Sequence, residues 1–174
     1  DTRIGKNFLA SGPGFGGSCF QKDILNLVYL CNYYKLEQVA NYWQGVVDIN
    51  NWQKSRISKI IVDYLFGNIS GKKIAILGFA FKANTNDTRQ SPSISICRDL
   101  IEEGAHLSIY DPKVENHKIK NDLESIFNNL DNQGLGTWEP SSSIEKASSE
   151  SDAIVVLTEW EEFFQIDWEI LIKS

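Results

Sequence analysis

Methionine is absent, and the chain opens on Asp1. With no initiator residue anywhere, it is expected to be a piece of a longer polypeptide. Cysteine is scarce: Cys19, Cys31 and Cys97 are three residues at wide spacing. An odd, scattered set gives neither a disulfide framework nor a zinc pattern. It fits a reducing, cytoplasmic setting, and no metal site is expected. No apolar run approaches the roughly 20 residues that span a bilayer, and residues 1–10 hold no apolar leader core or cleavage signal. Positive charge is also in deficit, with 17 Lys and Arg against 23 Asp and Glu, a net charge of −6 and a pI near 4.9. This acidic balance argues against a broad nucleic-acid or membrane surface. It leaves room for a local anion site, because glycine loops and a few Lys or Arg can supply one.

What is present fits a soluble core: 42% of 174 residues are hydrophobic, enough for one domain with a helical extension. Gly12, Gly14, Gly16 and Gly17 crowd one short stretch, and Cys19 follows at once. Glycine permits positive φ and close approach of backbone to a ligand. A helix start offers unpaired N–H groups and a partial positive charge that favours an anion, so Cys19 stands where a cysteine becomes a nucleophile. Such a thiol can attack an aldehyde, and nearby N–H groups can steady the oxyanion. The competing reading is a small residue at a helix cap. Asp23 lies one turn on, on the same face; it either orients a water or the thiol, or merely complements the helix dipole.

The remaining pattern is α/β. Phe20, Ile24, Leu27, Val28, Cys31 and Tyr34 mark one helical stripe from Cys19 onward, with Cys31 as inert core. A longer helix is expected from about Leu36 to Phe66, closed by Gly67-Asn68. Its apolar stripe is interrupted by Asn50, Asn51, Gln53 and Lys54. At about 1.5 Å per residue it runs to roughly 45 Å, a length that suits a dimer spine or a connector. Lys73–Leu77 reads as a buried strand, Ser91-Pro92 as the start of a helix closed by Gly104, and Leu107–Tyr110 as the next strand. Together they form a βαβ unit and hence a parallel sheet, in which Cys97 and His106 are structural. Residues 113–136 read as polar and irregular, with a short helix at Leu123–Leu130. Ser141–Ala147 reads as a capped helix and Ala153–Leu157 as a third buried strand. An amphipathic helix through Phe163 and Phe164 and a last helix at Asp167–Ile172 follow.

The βαβ unit is half of a Rossmann fold with an unsuitable loop. The dinucleotide fingerprint needs G-x-G-x-x-G after the strand. Here Gly78 is followed by Phe79-Ala80-Phe81-Lys82-Ala83, with Ala80 and Ala83 in the second and third glycine positions. NAD is therefore not expected to bind this half in the usual way. A lysine beside an aromatic can still hold an anionic nucleotide; the plainer reading is an ordinary α/β loop.

Gly14-Phe15-Gly16-Gly17-Ser18-Cys19-Phe20-Gln21-Lys22-Asp23 resembles the active-site motif of the UDP-glucose/GDP-mannose dehydrogenase family, in its UDP-glucose 6-dehydrogenase branch. Ile74–Lys82, Asn86-Asp87-Thr88-Arg89 and Thr158-Glu159-Trp160 match it in order. The Phe-Gln-Lys-Asp ending favours UDP-glucose over GDP-mannose or UDP-N-acetylmannosamine. The resemblance implies an α/β fold in which residues 1–67 carry the active-site cysteine loop and a central helical dimerisation region. Residues 68–174 would then be a truncated, Rossmann-like UDP-sugar-binding domain. It implies oxidation of UDP-glucose to UDP-glucuronate with two NAD, through a thiohemiacetal and a thioester on Cys19, with Asp23 assisting the hydrolytic water. Ala10, Ser11, Gly12, Pro13, Gly14, Phe15 and Gly16 match the segment around the sugar and phosphates. Arg3 matches an arginine that reaches a substrate in the partner subunit. Phe81 and Lys82 match UDP-sugar contacts, and Arg89 a cofactor contact. The homodimer or higher oligomer implied by the central helix is likewise an expectation.

Against that pattern, the N-terminal NAD-binding domain is missing, together with a general-base glutamate and a catalytic lysine expected upstream. A final strand and arginine expected after Ser174 are missing too. The chain alone is thus expected neither to bind NAD well nor to turn over. A different class of reading, a non-catalytic nucleotide-sugar sensor or assembly module on a long helix, has no need of the thiol at Cys19 with Asp23.

Overall fold

A computed structural model of the chain describes residues 11–127 and 135–173. Two helices come first, α1 (Phe20–Tyr33) and α2 (Glu37–Tyr64). Then follow β1 (Lys73–Leu77), α3 (Pro92–Glu102), β2 (His106–Tyr110), α4 (Asn116–Phe127), β3 (Thr137–Pro140), α5 (Ile144–Ser148), β4 (Ala153–Val156), α6 (Glu161–Phe164) and α7 (Trp168–Lys173). The four strands form one sheet in the order β3-β2-β1-β4. Every neighbour is parallel, with Ile76 opposite Ile109 on one side and Val155 on the other. The expected α/β class with a parallel sheet is what the chain forms.

Local chemistry explains the elements. Ile74, Ala75, Ile76 and Leu77 are fully buried, as a central parallel strand covered on both faces requires. Ser91 caps α3 by accepting from Ser93 N–H at 3.3 Å, and Pro92 fills the first turn, where its missing N–H costs nothing. The long helix α2 closes on a Gly67 N–H that donates to the Val62 carbonyl at 2.9 Å, with Gly67 at φ +77°. Ile61, near the end of α2, belongs to the same core as the sheet. One turn earlier, Ser58 Oγ donates to Asp99 Oδ2 on α3 at 2.8 Å. The far end of α2 is thereby fixed to the parallel-sheet layer.

Three expectations need correction. The sheet has four strands among the described residues, because Thr137–Pro140 forms an edge strand that no apolar run announces. Its burial alternates, and its proline sits where an edge tolerates a missing donor. Trp138 anchors it against Phe127 on α4, ring centroids 5.1 Å apart. Helix α4 starts at Asn116 rather than Leu123; its polar first turn hides a stripe of Ile119, Leu123 and Phe127, all buried. Finally, the expected third buried strand ends at Val156, not Leu157, and as an edge strand it is half-buried to exposed. Helix α1 begins at Phe20 with Cys19 as its N-cap, at the helix start where the sequence places it.

Candidate active site

The glycine loop lies between α2 and the loop after β1. On the α2 side, Phe15 N–H donates to Asn50 Oδ1 at 2.8 Å, and Asn50 Nδ2 donates back to the Phe15 carbonyl at 3.2 Å. Gln53 Nε2 donates to the Gly12 carbonyl at 3.4 Å. Gly14, at φ +144°, has no room for a side chain: a methyl group there would stand 2.9 Å from Asn50 Oδ1 and 3.2 Å from Lys54 Cγ. On the other side, Gly17 N–H donates to the Arg89 carbonyl at 2.8 Å. A methyl group on Gly16 would stand 2.5 Å from the Gln90 carbonyl oxygen, and one on Gly17 3.1 Å from the Phe81 ring. The glycines are therefore what lets the loop lie against two walls at once.

Cys19 emerges from this loop exposed, its Sγ 3.5 Å from Ser18 Oγ. No side chain caps α1, so its first-turn N–H groups have no intrahelical acceptor. Asp23, also exposed, donates its backbone N–H to the Cys19 carbonyl at 2.9 Å in the first helical bond. Cys31 and Cys97 are buried, and burial pushes the Cys97 thiol well above its usual range.

The second wall is built around a buried carboxylate. Asp111 Oδ2 accepts from Phe79 N–H at 2.7 Å, Ala80 N–H at 3.0 Å and Trp160 Nε1 at 3.1 Å, while Oδ1 accepts from Lys113 and Val114 N–H, each at 2.9 Å. Thr158 Oγ1 donates to the Ala80 carbonyl at 2.7 Å. So fixed, the loop presents Phe81 and an exposed Lys82 whose ammonium sits 5.4 Å from the Phe81 ring centroid, within cation–π range. Arg89 grips Asp87 through Nε and Nη2 at 2.8–3.2 Å. That bond holds the Asp87 carboxyl below its usual value and raises the Arg89 guanidinium, to which the Cys19 charge contributes a smaller upward push. Lys54, buried on α2, is shifted the other way: desolvation lowers it first, and the Arg98 charge adds to that.

Of the residues expected from sequence, Gly14, Phe15, Gly16, Phe81 and Arg89 converge with Cys19 and Asp23 around one loop. Ser11 and Gly12 are exposed and Pro13 half-buried at its start. Arg3 and Ala10 lie outside the described residues. Asn50 and Asp111 were missed. The break that Asn50, Gln53 and Lys54 make in the α2 stripe was the signal for the first; Asp111 was legible only as a strand-ending Asp-Pro.

The turn after β1 lacks the free N–H groups of the usual dinucleotide loop. The N–H groups of Phe79 and Ala80, which follow β1 where a dinucleotide loop would offer them to a pyrophosphate, are both consumed by Asp111. Among the described residues no helix is long and apolar enough to cross a membrane, and no three His, Cys, Asp or Glu side chains are grouped to hold a metal ion.

A helical arm that seats a glycine loop and thiol against the loop after the first strand of a parallel sheet defines a protein of the α/β class. The comparisons narrow that class. Residues 1–52 match the central domain and residues 75–174 the UDP binding domain of the UDP-glucose/GDP-mannose dehydrogenase family, and the chain belongs to that family. It is 53% identical over 168 residues to a UDP-glucose 6-dehydrogenase of Caenorhabditis elegans, covering 97% of this chain and 34% of the relative. It is 49% identical to the enzyme of that name from Bos taurus, covering all of this chain and 35% of the relative. The chain thus spans about a third of the length of these relatives. Among solved structures, a UDP-glucose dehydrogenase from the archaeon Pyrobaculum islandicum superposes with a TM-score of 0.73 at 25% identity, over 97% of this chain and 35% of that one. A GDP-mannose dehydrogenase from Pseudomonas aeruginosa, solved as a ternary complex, gives 0.71 at 26% identity, over 92% of this chain and 35% of that one.

Proposed function

We propose that the chain is the cysteine-bearing and UDP-sugar-binding part of a cytoplasmic, NAD-dependent UDP-glucose 6-dehydrogenase. The observation that carries this reading is the seam between the two motifs: the loop leading to Cys19 is bonded to Arg89 and lies on Phe81. A nucleotide sugar held by Phe81 and Lys82 would then extend its sugar along the loop at residues 10–16 toward the sulfur. Lys82 supplies a positive charge for the diphosphate, and Phe81 a flat apolar face. Cys19 Sγ holds the oxidised C6 carbon first as a thiohemiacetal and then as a thioester. Water, oriented by Asp23, cleaves the thioester and releases the uronate. Two hydrides, one as the C6 alcohol becomes the aldehyde and one as the thiohemiacetal becomes the thioester, would leave to two NAD, which this reading assigns to a part of the polypeptide outside this chain; only Arg89 would reach the cofactor from here. The chain alone is accordingly proposed to be inactive.

In the same reading residues 1–67 form the cysteine loop and central helical region, and residues 68–174 the UDP-sugar domain. Exposed apolar side chains on α1 and α2, among them Tyr29, Tyr42, Ile49 and Trp52, would be covered in a homodimer or larger assembly, to which Arg3 would contribute across the interface. The identities to UDP-glucose 6-dehydrogenases support UDP-glucose over GDP-mannose or UDP-N-acetylmannosamine as substrate.

The decisive experiment uses the full-length polypeptide bearing this chain. Cys19→Ala should abolish both uronate formation and any acyl-enzyme adduct seen by mass spectrometry. Uronate formed at the wild-type rate by that variant would remove Cys19 from the mechanism. Calorimetric titration with UDP-glucose, wild type against Lys82→Ala, separates a ligand site from a bare scaffold: equal binding by both would contradict the Lys82 assignment.

A further inference from the structure

The polar break in the α2 stripe is a seat for the glycine loop, and we propose that Asn50 is the positioning residue that sets where that loop holds the sugar. The inference rests on the dehydrogenase reading above. Asn50 is 4% exposed and lies on the buried face of α2 with Val47, Lys54, Ser58 and Ile61. There the glycine loop lies directly against it. Both ends of its amide are spent on the one residue Phe15, accepting from the N–H at 2.8 Å and donating to the carbonyl at 3.2 Å. A side-chain amide is the one group that can satisfy a peptide's donor and acceptor together with its own single donor–acceptor face. Asp cannot donate, and Ser is too short to reach both. Gly14 approaches Asn50 so closely that no side chain fits between them, and Gln53, one turn on, adds the Gly12 carbonyl.

The consequence is a division of labour between the two walls. The Arg89 and Phe81 wall fixes the loop's C-terminal end, next to Cys19. Asn50 fixes its centre, Phe15, whose ring meets Phe20 edge-on at 4.7 Å in the first turn of α1. Losing Asn50 leaves the thiol's helix intact but frees the segment that faces the sugar. The effect should therefore appear in the affinity for the nucleotide sugar.

The test is steady-state kinetics of the full-length enzyme, varying UDP-glucose and NAD separately. Asn50→Ala should raise KM for UDP-glucose about ten-fold, the scale of one or two lost buried hydrogen bonds, with KM for NAD held within about two-fold. A loss of folded enzyme would instead lower kcat and leave both KM values alone. Asn50→Asp keeps the acceptor for Phe15 N–H but sets a carboxylate oxygen against the Phe15 carbonyl, so its KM for UDP-glucose should rise as well; it carries the test if the alanine variant does not fold. Wild-type enzyme that oxidises no UDP-sugar would sink the dehydrogenase reading itself. Active wild type beside an Asn50→Ala enzyme with unchanged KM for UDP-glucose would overturn the Asn50 assignment alone.

Discussion

Gly17 donates its backbone N–H to the carbonyl of Arg89 at 2.8 Å, joining two motifs that stand far apart in the sequence. One residue earlier, Gly16 lies so close to Gln90 that a methyl group would reach the carbonyl oxygen at 2.5 Å. Backbone, not a flexible side chain, blocks the space. Gly16→Ala is therefore expected to force the two loops apart, at a cost of about 1–3 kcal/mol. The fall in melting temperature would be roughly 2–4 °C for each kcal/mol. UDP-glucose binding, measured by calorimetry on the full-length enzyme, should weaken more than stability does. Gly45, where a methyl group would meet nothing, is the control: Gly45→Ala lies within α2 and should be neutral or stabilising, since alanine is the better helix former.

Exposure separates the three cysteines. Cys19 is open to solvent, whereas Cys31 and Cys97 are buried at 7% and 0% exposure. Iodoacetamide under native conditions should label Cys19 alone, read by peptide mass spectrometry, and all three should react after denaturation. Pre-incubation with UDP-glucose should slow the labelling of Cys19. Labelling of Cys97 at a comparable native rate would contradict its place in the core.

Much of this arrangement could be read before any coordinates. Buried runs such as Ile74–Leu77 declare themselves because a central parallel strand has no polar face to show. Ser91-Pro92 and Gly104 mark helix ends through chemistry confined to the helix. The edge strand Thr137–Pro140 could not be read in that way, because only one of its faces meets the core and a proline closes it. Asn50 and Asp111 escaped for a different reason. Their partners, Phe15 and Phe79-Ala80, are remote in sequence, and polar side chains bonded to distant backbone leave no periodic trace. The glycine loop and Cys19 were conspicuous as a motif; what they rest on was not.

Lys54 gives the chain a stability that depends on pH in an unusual direction. Burial lowers its pKa below the usual 10.5, with Arg98 as the smaller cause. Between that lowered value and 10.5 the unfolded chain binds the proton that the folded chain has released. The Lys54 contribution to stability therefore rises with pH across this window, and below it the full penalty for burying the charge remains. Lys54→Met keeps the aliphatic stem against Gly14 and removes the charge. The variant should melt higher than wild type at pH 7, by roughly 2–4 °C per kcal/mol recovered, with the advantage shrinking as pH approaches 10.5. A variant that melts lower at pH 7 would show that the ammonium has a compensating anion. Cys97 acts in the opposite sense near the same pH: its thiol is raised above 9.0 in the fold, so the unfolded chain ionises first and stability falls above that pH. The comparison must be made between variant and wild type at each pH, where the Cys97 contribution cancels.

Asp111 is the residue whose loss should cost most. It is 7% exposed and carries five hydrogen bonds, four from backbone N–H groups and one from the Trp160 indole. Among the described residues its hydrogen-bond partners are all N–H groups. Asp111→Ala strands those donors, and each buried donor left unsatisfied costs about 1–3 kcal/mol. Even if water rescues most of them, a loss of about 3 kcal/mol or more is expected, and melting should fall by roughly 6–12 °C. Asp111→Asn retains one acceptor oxygen but turns the other position into a donor facing N–H groups, so it should recover only part of the loss. The functional consequence follows from what Asp111 holds. Phe79 and Ala80 lead directly into Phe81 and Lys82, and slack in that turn moves the face on which Gly17 rests. Both variants should therefore bind UDP-glucose more weakly at temperatures where they remain folded. An Asp111→Ala protein that melts within about 2 °C of wild type, a shift worth less than 1 kcal/mol, would mean that its hydrogen bonds are readily replaced by water and that the turn keeps its shape without them.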